Sequence, residues 1–142
     1  MNLRTRQVLL AALALSAAFV GVWAALAPAA WYRGFPGLGM HWLTTLGPYN
    51  QHLSRDVGGL YLALLVLSAG AVARARDVYL VRLSGGAWTV FSAGHLAFHL
   101  THLSMLGTRD RVLNVVALGG TLVIALALLT APMKPSEPRA HV

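Results

Sequence analysis

Four long apolar stretches divide this chain, and they constrain its fold more than any other feature. They cover residues 8–30, 57–73, 84–106 and 112–131. A helix of about 20 apolar residues is long enough to cross the ~30 Å hydrocarbon core of a bilayer. We therefore expect an all-α integral membrane four-helix bundle, formed as one domain by residues 1–131. A disordered tail is expected over residues 132–142.

The amino-acid composition is typical of an integral membrane protein. Hydrophobic residues make up 57% of it and charged residues 11%, whereas a soluble domain carries about 25% charge. The net charge of +7 does not indicate nucleic-acid binding, because the Arg and Lys residues stand singly or in pairs between apolar runs. A nucleic-acid interface needs them clustered on a solvated surface. Cysteine is absent, which excludes disulfides, thiolate metal sites and cysteine catalysis.

The distribution of basic residues predicts an orientation. The first apolar stretch is longer than the core of a signal peptide, so we expect a retained helix. Cytoplasmic loops carry an excess of Arg and Lys, and this favours two cytoplasmic termini. Arg-rich, Ala- and Leu-rich composition is typical of a GC-rich bacterial genome, which predicts a multi-pass protein of the bacterial plasma (inner) membrane. The basic residues on the expected inner side are Arg4, Arg6, Arg74, Arg76, Arg82, Lys134 and Arg139; those on the outer side are Arg33, Arg55, Arg109 and Arg111.

Small residues recur at four-residue spacing in the first two helices. They are Ala17, Gly21 and Ala25 in the first, and Gly59 and Ala63 in the second. Small side chains at this spacing let helix backbones approach closely, and packing is what associates helices in lipid. We expect both sets to lie at helix crossings.

The long outer loop, Trp31–Arg55, is rich in aromatic residues. Trp and Tyr favour the membrane interface, where an apolar ring and a polar tip are both satisfied. We expect this loop to cap the outer end of the bundle, with Leu38–Leu46 as a short interfacial helix. The aromatic residues are Trp31, Tyr32, Phe35, Trp42 and Tyr49.

Histidines are the main candidates for chemistry. His95, His99 and His102 follow one another at i, i+4 and i+7, which places them within about 60° of arc on the outer half of the third helix. His52 and Asp56 share a face at the outer start of the second helix. Imidazole with a carboxylate suits Zn²⁺, Cu²⁺ or non-haem iron. The sequence thus predicts a transition-metal site, redox-linked or metal-handling, with His95, His99 and His102 as ligands and His52 or Asp56 completing the shell.

Other interpretations of the histidines stay open. Two of them could ligate a haem, or they could form a metal-free polar network for proton transfer, ligand binding or packing. The chain could be a non-catalytic accessory subunit of a membrane oxidoreductase complex, or a homo-oligomer. It could also hold a lipid or quinone in a pocket under the aromatic loop. Residues assigned to such a pocket or its cap are His41, Trp42, Trp88, Phe91 and Asn114.

No catalytic set emerges from the sequence. His95 and His99 have the spacing of the HExxH motif of zinc proteases. Position 96 is leucine, however, so the glutamate that acts as the general base is missing.

Two short motifs carry a resemblance to a known family. The second helix opens with the sequence RDVGGLY at Arg55–Tyr61, and a glycine pair, Gly85–Gly86, opens the third. Over Trp31–Leu129 the chain resembles the DoxX-like superfamily of small four-helix bacterial membrane proteins, in particular its actinobacterial members. The resemblance implies a four-helix bundle linked to membrane oxidoreductase systems and quinone-coupled respiration.

Overall fold

The structure, a computed structural model, describes residues 1–132 and is mostly helical. The predicted tail lies outside the described residues, apart from Pro132. Five α-helices are described: α1 (Leu3–Leu26), α2 (Pro28–Gly34), α3 (Gln51–Ala73), α4 (Val78–Thr101) and α5 (Thr108–Leu129), with a 3₁₀ turn at Leu103–Met105 between the last two.

Three of these helices, α1, α3 and α5, are long and apolar enough to cross a membrane. This confirms the membrane setting in its coarser form. The fourth long helix, α4, has 24 residues, so its length is sufficient for a crossing. It is not among the three that meet this criterion, and Arg82, His95 and His99 interrupt its hydrophobic residues.

Three of the four long helices, α1, α3 and α4, begin earlier than their apolar runs suggest, because a polar residue caps each of these starts. The side chains of Asn2, Asn50 and Asp77 accept hydrogen bonds from the backbone nitrogen three residues later, at 2.8, 3.0 and 3.2 Å respectively. Such caps satisfy a backbone donor that the helix leaves open. As a result α3 begins at Gln51 rather than residue 57, and α4 at Val78 rather than residue 84.

Two close helix pairs make up the bundle: α1 packs mainly against α3, and α4 mainly against α5. At the first crossing, a Cβ atom added to Gly58 would lie 2.5 Å from the backbone nitrogen of Ala25. At the second, a Cβ added to Gly85 would lie 2.9 Å from the Ala125 oxygen. The prediction for α1 is confirmed at Gly21 and Ala25. The prediction for α3 is wrong by one residue, because Gly59 has nothing within 4 Å of an added Cβ.

Arginine side chains join the two helices of each pair by hydrogen bonds near both ends of the pair. Arg55 of α3 donates to the Ala25 oxygen in the last turn of α1, at 3.1 Å. Arg6 of α1 donates to the Ala75 oxygen just past α3, at 3.4 Å. In the other pair, Arg82 of α4 donates to the last carbonyl of α5, at 2.7 Å. At the opposite end, Arg111 of α5 donates at 2.8 Å to the oxygen of Leu106, which follows the 3₁₀ turn after α4. Two of these acceptors, Ala25 and Leu129, are carbonyl groups that helix ends leave open, and the other two lie just past a helix.

One end of the bundle is covered by the segment 28–48, which we name the aromatic cap. It comprises α2, a short antiparallel hairpin of β1 (Pro36–Gly37) and β2 (Met40–His41), and the turns that follow. The interfacial helix predicted at Leu38–Leu46 is wrong. Gly37, Leu38 and Gly39 have φ angles of 102°, 55° and 76°, which turn the chain back and cannot belong to a right-handed helix. The capped end corresponds to the predicted outer end.

Candidate ligand-binding cavity

A cavity of about 530 Å³ lies directly beneath the aromatic cap. All four long helices and the cap contribute to its wall. Binding sites for small organic molecules fall in the range of about 300–1,000 Å³. The cavity is therefore large enough to hold a ring compound with its substituents.

Aromatic side chains form much of the wall. Tyr61 of α3 packs edge-on against Trp88 and Phe91 of α4, with ring centroids 6.1 and 5.1 Å apart. Trp88 is fully buried, and its indole nitrogen donates to the Ser68 hydroxyl at 2.8 Å. On the cap side, Phe35 contacts Trp42 edge-on at 6.1 Å. Aromatic walls of this kind favour flat rings, which stack or meet them edge to face.

Several buried polar groups of the wall have no hydrogen-bond partner within residues 1–132. They are the indole nitrogens of Trp31 and Trp42, the hydroxyl of Ser92, and both amide atoms of Asn114. Leaving a buried donor or acceptor unsatisfied costs about 1–3 kcal/mol. A ligand that brings matching acceptors and donors would recover this cost.

The wall carries no charge among the described residues. The lining residues include no Asp, Glu, Lys or Arg. Burying an ionised group without a partner is far more costly than burying a neutral polar one. The cavity therefore suits an uncharged ligand.

Two of the predicted metal ligands meet at this wall. His95 and His99 both line the cavity, with their ring centroids 4.8 Å apart. His95 stacks on Phe91 at 5.2 Å, and His99 is only 6% exposed. Both imidazoles are placed to exchange hydrogen bonds with a molecule in the cavity.

The third histidine of the stripe has a different environment. His102 follows the last residue of α4, and its ring stacks on Phe98 with centroids 4.2 Å apart. Its Nδ1 atom lies 2.8 Å from the Phe98 oxygen. It is not among the lining residues, because the helix ends at Thr101 and the chain then leaves the stripe.

His52 and Asp56 lie away from the other candidates. They face each other on the first turns of α3, with His52 Nε2 3.3 Å from Asp56 Oδ2, and their side chains are 87% and 60% exposed. The core face of α3 carries Ser54, Gly58 and Tyr61 instead. Within residues 1–132 no group of three or more His, Cys, Asp or Glu side chains is placed to hold a metal ion. The metal site stays a prediction: His95 and His99 meet at the cavity wall, His52 and Asp56 form a separate exposed pair, and His102 belongs to neither.

Four of the five residues that the sequence assigned to a pocket or its cap line the cavity. Trp42, Trp88, Phe91 and Asn114 line the cavity, whereas His41 is exposed on the cap, with its Nδ1 atom 2.6 Å from the Arg33 oxygen.

Among the wall residues that the sequence analysis did not assign to the pocket are Trp31, Tyr61 and Ser92. Ser92 lies between Trp88 and His95 on the same stripe of α4. Extending the histidine stripe by one more turn would have found it.

Comparison with known proteins gave no match to any protein-family model, curated protein or solved structure. The resemblance to DoxX-like proteins therefore stays a prediction. The functional proposal depends on the geometry and chemistry of the cavity.

Proposed function

We propose that this protein binds a neutral ring compound of the quinone class in the cavity beneath the aromatic cap. One observation carries the proposal: buried polar groups without partners among residues 1–132 belong to the wall of a largely aromatic cavity that the described residues leave uncharged. Such a site matches a flat apolar ring that bears hydrogen-bond acceptors.

The hydrogen-bonding chemistry of the wall narrows the ligand class. An indole N–H can only donate, so Trp31 and Trp42 need acceptors. A quinone ring has carbonyl oxygens at opposite positions, and one of them could accept from an indole. The amide of Asn114 and the imidazoles of His95 and His99 can each donate or accept, so they suit either the carbonyl form or the hydroxyl form of the ring.

Phospholipid head groups fit this wall less well. A phosphate is bound most strongly by Arg, by Lys or by a helix N-terminus. Among the residues that the structure describes, none that lines the cavity is Arg or Lys. The lack of basic side chains in the described part of the wall therefore favours a quinone over a phospholipid.

The proposal includes four membrane crossings, with both termini on the cytoplasmic side of a bacterial plasma membrane. Support for a crossing by α4 comes from its burial pattern. Its polar residues Ser84, Ser92 and His99 are buried, whereas Val90 is 80% exposed and Leu83 is 48% exposed. Polar residues in membrane helices face the bundle interior. The excess of basic residues at the end opposite the cap supports the orientation.

A quinone-binding role is compatible with an accessory subunit of a membrane oxidoreductase complex. The DoxX-like resemblance implies the same setting. The metal hypothesis is less favoured because His52 and Asp56 lie outside the cavity.

Two serines of α4 provide a matched test. Ser92 and Ser84 are both buried with unpartnered hydroxyls within the described residues, but only Ser92 lines the cavity. A quinone titrated into the detergent-solubilised protein should quench tryptophan fluorescence saturably, since Trp31, Trp42 and Trp88 line the site. Ser92→Ala should weaken binding about three- to tenfold, the size of one net hydrogen bond. Ser84→Ala should leave the affinity unchanged.

Absence of saturable quenching in the wild type would refute the proposal. Equal effects of the two serine substitutions would place the quinone elsewhere. Extraction of the purified protein with organic solvent, followed by mass spectrometry, gives an independent check for a bound quinone.

A further inference from the structure

We infer that the cavity opens sideways into the lipid between α1 and α5, and that the ligand carries an apolar chain that leaves through this opening past Phe19. The inference rests on the proposed quinone site and deepens it. It specifies a ring with a long hydrocarbon chain instead of a ring alone.

The helix arrangement provides the opening. The pairs α1 with α3 and α4 with α5 pack closely, and contacts between α1 and α5 are sparse by comparison. Both helices nevertheless contribute to the cavity wall, α1 through Phe19 and α5 through Ala117 and Thr121. Phe19 is 52% exposed, and Ala117 is also exposed. Residues that face the cavity and the lipid at once mark the edge of an opening.

An apolar groove continues from this edge along the surface of α1. Its lining residues are Ala18, Phe19, Val22, Trp23, Leu26 and Ala27. Phe19 belongs to both the cavity and the groove. Its ring packs on Trp23 and Phe35, with centroids 5.6 and 6.2 Å apart, so Phe19 forms a thin aromatic partition between the two spaces.

The chemistry of the two spaces is complementary. The cavity supplies polar groups for a head, and the groove supplies an almost wholly apolar surface for a chain. Within a membrane a chain gains packing contacts from a groove but no hydrophobic driving force, because lipid tails are equally apolar. We therefore expect the chain to raise the affinity by a modest factor.

The test compares a methoxy-substituted benzoquinone with the same ring bearing a decyl chain. Binding to the full-length protein is measured by fluorescence quenching, and each free concentration is corrected for partition into detergent. The chain should tighten binding about fivefold, as a small number of added van der Waals contacts would. Val22→Phe and Ala18→Leu should each fill the groove and remove this gain while ring binding persists.

A matched control lies on α3. Val66→Phe adds the same bulk to a lipid-facing position, 73% exposed, that lines neither the cavity nor the groove. It should keep the fivefold gain.

The outcomes separate the two proposals. If neither compound binds, the quinone site and the inference fail together. Should both bind with equal affinity, the quinone site stands and the lateral opening is refuted. A gain that survives in Val22→Phe and Ala18→Leu would also refute it, since the chain would then leave elsewhere, for example toward the exposed cap residues Gly47 and Pro48.

Discussion

Asn114 combines deep burial with an unsatisfied side chain. It is 1% exposed, and neither amide atom has a hydrogen-bond partner within residues 1–132. An apolar side chain at this position would give a more stable protein, because an unpaired buried polar group lowers the free energy of unfolding. A residue that costs stability at a cavity wall is typical of a binding function.

Replacing Asn114 with leucine should therefore separate stability from binding. We expect Asn114→Leu to raise the free energy of unfolding by about 1–3 kcal/mol, the cost of an unsatisfied buried group, and to weaken quinone binding at least about tenfold. Thermal unfolding in detergent and fluorescence titration measure the two effects. A lower melting temperature with unchanged affinity would show that the amide is structural.

His99 and His102 distinguish the quinone proposal from the metal hypothesis. Only His99 lines the cavity, so His99→Ala should weaken quinone binding about three- to tenfold through a lost hydrogen bond, and His102→Ala should not. The metal hypothesis expects each substitution to lower the metal content of protein purified without a histidine tag. Elemental analysis of the two variants and the wild type makes the comparison. Metal near one per chain, lost in both variants, would favour the metal site.

At the scale of elements, close backbone approach at Gly58 holds α1 against α3. A Cβ at Gly58 would meet the backbone of Ala25, which cannot move aside like a flexible side chain. Gly59, the next residue on the same helix, has open space around it. The neighbouring glycines therefore form a matched pair.

We expect Gly58→Ala to destabilise the protein by about 1–3 kcal/mol, the usual cost of overpacking. Gly59→Ala should be neutral or slightly stabilising because alanine favours a helix interior over glycine. Chemical or thermal unfolding in mild detergent measures both. Equal stability of the two variants would mean that the helix pair can separate slightly at no cost.

Sequence periodicity predicted which residues share a face of one helix but not which faces of different helices meet. His95 and His99 share a wall because they belong to one stripe of α4. His52 and Asp56 also share a face, as predicted, yet α3 turns that face outward because Gly58 and Tyr61 occupy the packed side. The helix starts were missed by about six residues because polar caps extend helices beyond their apolar runs. The cap hairpin was missed because Leu38, which is not glycine, adopts a positive φ.

At the scale of the whole molecule, the number of membrane crossings decides where the loop after α4 lies. With four crossings this loop lies on the same side as the aromatic cap. With three crossings and α4 remaining at the cytoplasmic surface, it lies on the other side. The chain contains no cysteine, so a single introduced thiol can report its position.

Thr108 is an exposed residue in this loop region. A Thr108→Cys variant should react with a membrane-impermeant maleimide added to intact cells or right-side-out vesicles, because we propose that α4 crosses the bilayer. Arg76→Cys, in the turn between α3 and α4, serves as the control and should react only after permeabilisation. Reaction of both positions only after permeabilisation would mean that α4 does not cross.

The arginine bonds at the helix ends have a consequence for how the protein is made. Each of these bonds joins α1 to α3 or α4 to α5, and one further bond connects the pairs, since a second nitrogen of Arg6 lies 3.5 Å from the Pro132 oxygen just past α5. The described chain is therefore built mainly from two helical hairpins, each joined at both ends by its own arginine bonds. Such hairpins can enter the bilayer one after the other as the ribosome delivers them. Both hairpins contribute residues to the cavity wall, so the cavity forms only when the two hairpins pack together. Ligand binding would therefore show that the two halves have assembled correctly.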